Sequence, residues 1–140
     1  MPELSIDQKS LFATGLLAIA CVQLLTIAVG RGAGGFSPGA RRWAVGLHRF
    51  GGYLGLFIVL LVAYSCVVFI GPKTGSLRVA AHSLLGASVI ALLFGKITIA
   101  RGLRQYYPRL PIFGAALFAA VIVNWFISAG WYYFAGSVGY

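Results

Sequence analysis

Four stretches without a charged residue, at 11–30, 50–71, 79–95 and 110–134, fill most of the 140 residues and decide what the chain can become. Each approaches the ~20 residues that an α-helix needs to cross ~30 Å of hydrocarbon. What lies between them is too short for a separate soluble domain. The expected fold is an all-α integral membrane four-helix bundle. It forms one transmembrane domain over residues 1–140, with helices at about 10–30, 46–71, 77–99 and 110–135. Any chemistry then falls to the few polar side chains inside the helices, where ionisable groups are costly to bury and mark function by default.

Composition agrees with that setting. Apolar residues make up 60% of the chain and charged residues 9%, against about 25% charged in a soluble domain. Eleven Lys and Arg face only Glu3 and Asp7, giving a net charge of +9. In a soluble protein that excess would point to nucleic acid. Here the cations gather at helix ends, so the lipid bilayer is the expected partner and nucleic acid is not. Arg31, Arg41, Arg42, Arg49, Lys96, Arg101, Arg104 and Arg109 flank the first and third connections, against Lys9, Lys73 and Arg78 on the opposite side. Eight against three places both basic loops, 31–44 and 101–109, in the cytoplasm and both termini outside. The aromatic run Trp125, Phe126, Trp131, Tyr132, Tyr133 and Phe134 is then an outer-interface anchor.

The first apolar stretch follows Glu3 and Asp7 rather than a basic segment, so a permanent helix is expected in place of a cleaved signal. Cys21 and Cys66 show no CxxC or Cys/His spacing and read as small core residues. Residues 30–39 are Gly-rich but lack the Lys-Ser/Thr of a phosphate loop, and read as a connector. No carboxylate pair and no nucleophile with a neighbouring base stands in the sequence, so independent catalysis is not expected.

Two histidines remain. His48, Gly52, Gly55, Val59, Val62 and Cys66 recur at helical spacing on the second helix, and Gly51 and Gly55 make a GxxxG that admits a neighbouring backbone or a flat ligand. On the third helix Val79, His82, Ser83, Gly86, Ile90 and Leu93 share a face, with Gly86 one turn from His82. An imidazole beside a glycine-lined groove suits b-type haem, whose iron takes a neutral ring nitrogen. The bland alternative is that both histidines are interhelical hydrogen-bond donors and the glycines serve packing. Depth separates the two rings by roughly 20–25 Å at 1.5 Å per residue, so one haem is not ligated by both within a chain. His82 is the stronger haem candidate, and Ser65, Ser83 and Gly86 are its candidate lining. Asn124 and Gln23 are the remaining buried amides.

The run Leu47-His48-Arg49-x-x-Gly52, then Ala63-Tyr64-Ser65-Cys66, then Arg78-Val79-x-x-His82-Ser83-x-x-Gly86 and Lys96 resembles an uncharacterised family of small bacterial four-helix membrane proteins over about residues 45–135. At the level of helices and histidines the chain is also loosely similar to b-type transmembrane cytochromes and ferric-reductase-like membrane domains. The family resemblance implies a third His between the Tyr and the Cys, facing His82 as an outer bis-His pair. This chain has Ser65 there. Either His82 holds haem b with a water, weak or foreign sixth ligand, or the chain carries no haem.

The functional expectation is a small subunit of the bacterial plasma membrane that binds haem b and transfers electrons within a larger membrane complex. Its partners would be other membrane subunits, or further copies of itself as a homo-oligomer. The alternative is a cofactor-free accessory subunit of a respiratory or photosynthetic complex. A transporter ranks last, because no helix carries a carboxylate and no broken-helix repeat is visible.

Overall fold

The structure, a computed structural model, describes residues 5–70 and 77–135. It is all-helical: α1 Ile6–Gly30, α2 Pro38–Ser65, α3 Leu77–Gly102, α4 Leu110–Trp125 and the short α5 Trp131–Ala135. π-helical turns, Cys66–Ile70 and Phe126–Gly130, extend α2 and join α4 to α5. Four helical units are therefore long and apolar enough to cross a membrane. Lys73, counted above with the opposite side, and Glu3 lie outside the described residues.

The helix ends follow local chemistry that hydropathy does not register. α1 starts at Ile6 because Ser5 and Gln8 form a reciprocal capping box that satisfies two of the open N–H groups of the first turn. α2 starts at Pro38 and not near residue 46. Ser37 caps Ala40 N and Pro38 stands in the first turn, where its missing N–H costs nothing. Arg41 and Arg42 are thereby helical rather than part of a connector, and the first loop shrinks to residues 31–37. That loop turns through Gly32 and Gly34, at φ 95° and 79°, a region that side-chain-bearing residues rarely enter.

α1 packs mainly on α2, and α3 on α4, as antiparallel hairpins; α1 also packs on α4 and joins the two, whereas the α2–α3 seam is thin. Val59, Val89 and Val121 of α2, α3 and α4 meet at the centre against Leu16, Leu17 and Ala20 of α1. These branched and small side chains let the four helices approach at one level. The GxxxG of α2 is filled by α1: a Cβ at Gly51 would overlap the Gln23 amide, and one at Gly55 would touch Ile19 at 3.7 Å and Leu16 at 3.8 Å. No room is left there for a flat ligand.

Burial elsewhere is slight. Large apolar side chains stand open on every helix, Trp43 at 78% and Leu84 at 71% among them. The accessible surface is 9154 Å², against about 7,000 Å² expected for a water-soluble monomer of 14.9 kDa. Apolar faces of that extent need lipid or protein to cover them.

Candidate functional site

Two polar clusters flank the valine core, one towards each end of the bundle. They are built on different hairpins, so the histidines do not meet.

The first lies between α1 and α2, near the end that carries the 31–37 and 103–109 connections. His48 projects from α2 onto α1, where its Nδ1 donates to the backbone oxygen of Gln23 at 3.0 Å. Thr26 Oγ1 stands 3.4 Å from the same nitrogen and itself donates to Val22 O at 2.8 Å. In the neutral ring this leaves the lone pair on Nε2. The Gln23 side chain lies against Gly51, one turn along α2, and both its Nε2 and Oε1 are buried without a hydrogen-bond partner. Lys96 on α3 and Arg31 at the end of α1 lie within electrostatic reach of the imidazole. At the rim of this end Arg101 Nη2 donates to Tyr53 Oη at 2.6 Å, tying α3 to α2.

The second cluster lies between α3 and α4, towards the other end. The side-chain amide of Asn124 is the polar group that meets the His82 ring. His82 Nδ1 and Asn124 Oδ1 are buried, and neither has a hydrogen-bond partner. Ser128, one turn further on in the π-helical turn after α4, is turned back along the chain and donates to Asn124 O at 2.6 Å. Gly86 is open: nothing lies within 4 Å of the position its Cβ would take. Ser65 is buried at the end of α2, at 4% exposure. Ser83 is exposed, so the face expected to hold it beside His82 is narrower than helical spacing suggested. Neither Ser65 nor Ser83 is a hydrogen-bond partner of His82 Nδ1.

The expected aromatic anchor divides. Trp125 points inward and its Nε1 donates to Thr14 Oγ1 of α1 at 3.0 Å, while Tyr132 Oη donates to Asp7 Oδ1. Only Phe126, Trp131, Tyr133 and Phe134 of that run remain exposed. Phe126, Gly130, Trp131 and Phe134 line an open recess of about 270 Å³, and none of them is an iron ligand. Cys21 and Cys66 are free thiols. No group of three or more His, Cys, Asp or Glu that could hold a metal ion occurs among the described residues.

Val89 stands seven residues from both His82 and Lys96, on opposite sides. The α3 groups of the two clusters are therefore about 21 Å apart along the helix. Sequence spacing singled out both histidines. It missed that His48 would bond a main-chain carbonyl, which no side-chain pattern announces. It also named Asn124 only as a buried amide, without placing it beside His82.

An all-α chain with four helices of membrane-spanning length and a histidine in each hairpin is the class of protein these features define. The chain belongs to DUF6529, a family of unknown function, which matches residues 3–138. No curated protein matches the chain, and no solved structure does.

Proposed function

We propose that the protein is a multi-pass subunit of the bacterial plasma membrane, with both termini outside, that carries haem b at His82 and passes electrons within a larger membrane complex. The observation that carries this reading is the buried His82–Asn124 pair. A buried donor or acceptor without a partner costs about 1–3 kcal/mol. An imidazole whose Nδ1 makes no hydrogen bond, with the Asn124 amide beside the ring to orient it, fits a haem ligand. The open flank at Gly86 fits a planar group beside the ring. Bound there, haem b would supply a one-electron couple. His82 would be its ligand, Asn124 would orient the ring, and Gly86 would admit the macrocycle edge. Ser65 offers no strong second ligand, so any further ligand would be water or a histidine of another subunit.

A second reading is favoured by a different observation. His48, Trp125 and Tyr53 all use their polar groups to bond helix to helix, and the outer faces are broad and apolar. Those features also suit a cofactor-free subunit packed against a larger complex.

The test is an absorption spectrum of protein purified after expression with supplied haem, oxidised and then reduced by dithionite. The haem reading expects a Soret band that His82→Ala abolishes and His48→Ala keeps. A folded wild-type preparation without that band leaves the accessory-subunit reading standing.

A further inference from the structure

We infer that the exposed flank formed by α2 and α3 is a homodimer interface, in which an aromatic ridge on α2 of each copy packs into a row of small residues on α3 of the other. The inference rests on the membrane reading above, because it needs both copies in one orientation, and is independent of haem.

The ridge is Phe50, Phe57 and Tyr64, all exposed and each seven residues from the next. Leu47, Leu54 and Leu61 stand between them, so the face repeats at intervals of three and four. That is the spacing with which one helix packs along another. Hydrocarbon chains impose no such register on a face they cover. Phe57 lies two residues, about 200° of rotation, from the core residue Val59, so the ridge points away from the bundle. On α3, Ala87 and Ala91 stand two residues to either side of the core residue Val89, and Ser83, Ala87, Ala91 and Thr98 are exposed. α2 and α3 are neighbours tied by the Arg101–Tyr53 bond, with α1 and α4 packed behind them. Ridge and row therefore lie side by side on one flank.

Val59 and Val89 meet at the core, which sets a common level for measuring depth along both helices. Phe57 and Ala91 each lie about 3 Å from that level towards the basic end, and Phe50 and Thr98 each about 13.5 Å. Tyr64 lies about 7.5 Å towards the other end, between Ala87 at about 3 Å and Ser83 at about 9 Å. Leu84 shares its depth but stands to one side, about 100° round the helix from Ser83. Phe94, the aromatic within the row, falls at about 7.5 Å towards the basic end, in the gap between Phe50 and Phe57. Large side chains of one copy thus meet small ones of the other at equal depth.

Other pairings fit less well. An α2–α2 contact would set each aromatic against its own copy. α1 exposes Leu25 near the depth of Phe50, and Phe126, after α4, is exposed at the depth of Tyr64. A two-fold axis along the membrane normal joins α2 to α3 and α3 to α2, and so uses ridge and row twice. Tyr64 Oη then comes beside Ser83 of the second copy, a hydroxyl pair able to bond across the interface.

The experiment is oxidative cross-linking of the full chain in native membranes, with Cys21 and Cys66 replaced by Ala. Chains carrying Tyr64→Cys under one tag and Ser83→Cys under another are co-expressed, and the mixed disulfide is expected to predominate over either homodisulfide. Dimer content is read separately by energy transfer between labelled chains diluted in lipid vesicles. Ala91→Phe should weaken the dimer about tenfold, as overpacking does. Adding Phe57→Ala to it should recover most of that loss, since the bulk has moved across one contact. Ile112→Phe, on the exposed face of α4, should leave the dimer within about twofold. A chain that resists extraction by alkaline carbonate yet stays monomeric at high density overturns the inference and leaves the membrane reading intact. So does a Tyr64→Cys homodisulfide as abundant as the mixed one, or a loss in Ile112→Phe equal to that in Ala91→Phe. Release of the chain by carbonate would count against the membrane reading itself, and against the inference with it.

Discussion

His48 donates Nδ1–H to the Gln23 carbonyl, so this ring is held by a main-chain group that no substitution at position 23 removes. His82, against Asn124, keeps an unpartnered nitrogen. The two residues thus differ in what each still has to offer a ligand on the nitrogen facing its neighbours. His48→Ala is expected to loosen the α1–α2 hairpin by about 0.6 kcal/mol, the average worth of an interhelical hydrogen bond in a membrane protein. It should leave any haem content unchanged, which unfolding in graded denaturing detergent and the reduced spectrum check together. Loss of haem from folded His48→Ala would move the iron to the other histidine. Trp125→Phe removes the Nε1 bond to Thr14 and should cost a similar ~0.6 kcal/mol. Thr14→Val should add nothing further on top of it, because the two act through one bond.

Each helix shows how far a hydropathy pattern reaches. Uncharged runs near 20 residues mark where four helices lie, because only a helix satisfies its own backbone in hydrocarbon. They do not mark where a helix ends. The α2 start was misplaced because Arg41 and Arg42 look like loop residues, whereas the Ser37–Pro38 cap decides the matter. The π-helical turns after Ser65 and Trp125 have no pattern in the sequence, since they arise where a helix accommodates its neighbours. The GxxxG was legible as a close approach, but not as an approach by α1 rather than a ligand. That contact makes a prediction of its own. Gly51→Ala meets only the far end of the flexible Gln23 side chain, so it should cost well under about 1 kcal/mol, and Gln23→Ala should abolish that cost. Gly51→Leu pushes directly against α1 and should cost about 1–3 kcal/mol, as overpacking does. Denaturing-detergent titrations of the single and double variants read all three values.

For the whole molecule, the distribution of charge sets orientation in a way the fold alone does not. Arg31, Arg41, Arg42 and Arg49 on the first hairpin and Lys96, Arg101, Arg104 and Arg109 on the second all fall towards one end of the bundle, because the hairpins are antiparallel and packed side by side. The opposite end holds Asp7 beside Tyr132 and Arg78 over the Trp131 ring at 5.5 Å. Lys and Arg resist translocation, so the orientation proposed above puts the end with the larger share in the cytoplasm. The exposed sites Ala33 and Gln105 sit in the two basic connections, and Leu77, at 89% exposure, opens α3 at the other end. With Cys21 and Cys66 first replaced by Ala, single Ala33→Cys and Gln105→Cys variants should react with a membrane-impermeant maleimide only after cells are permeabilised. Leu77→Cys should react in intact cells. Labelling of Ala33→Cys in intact cells would invert the assignment.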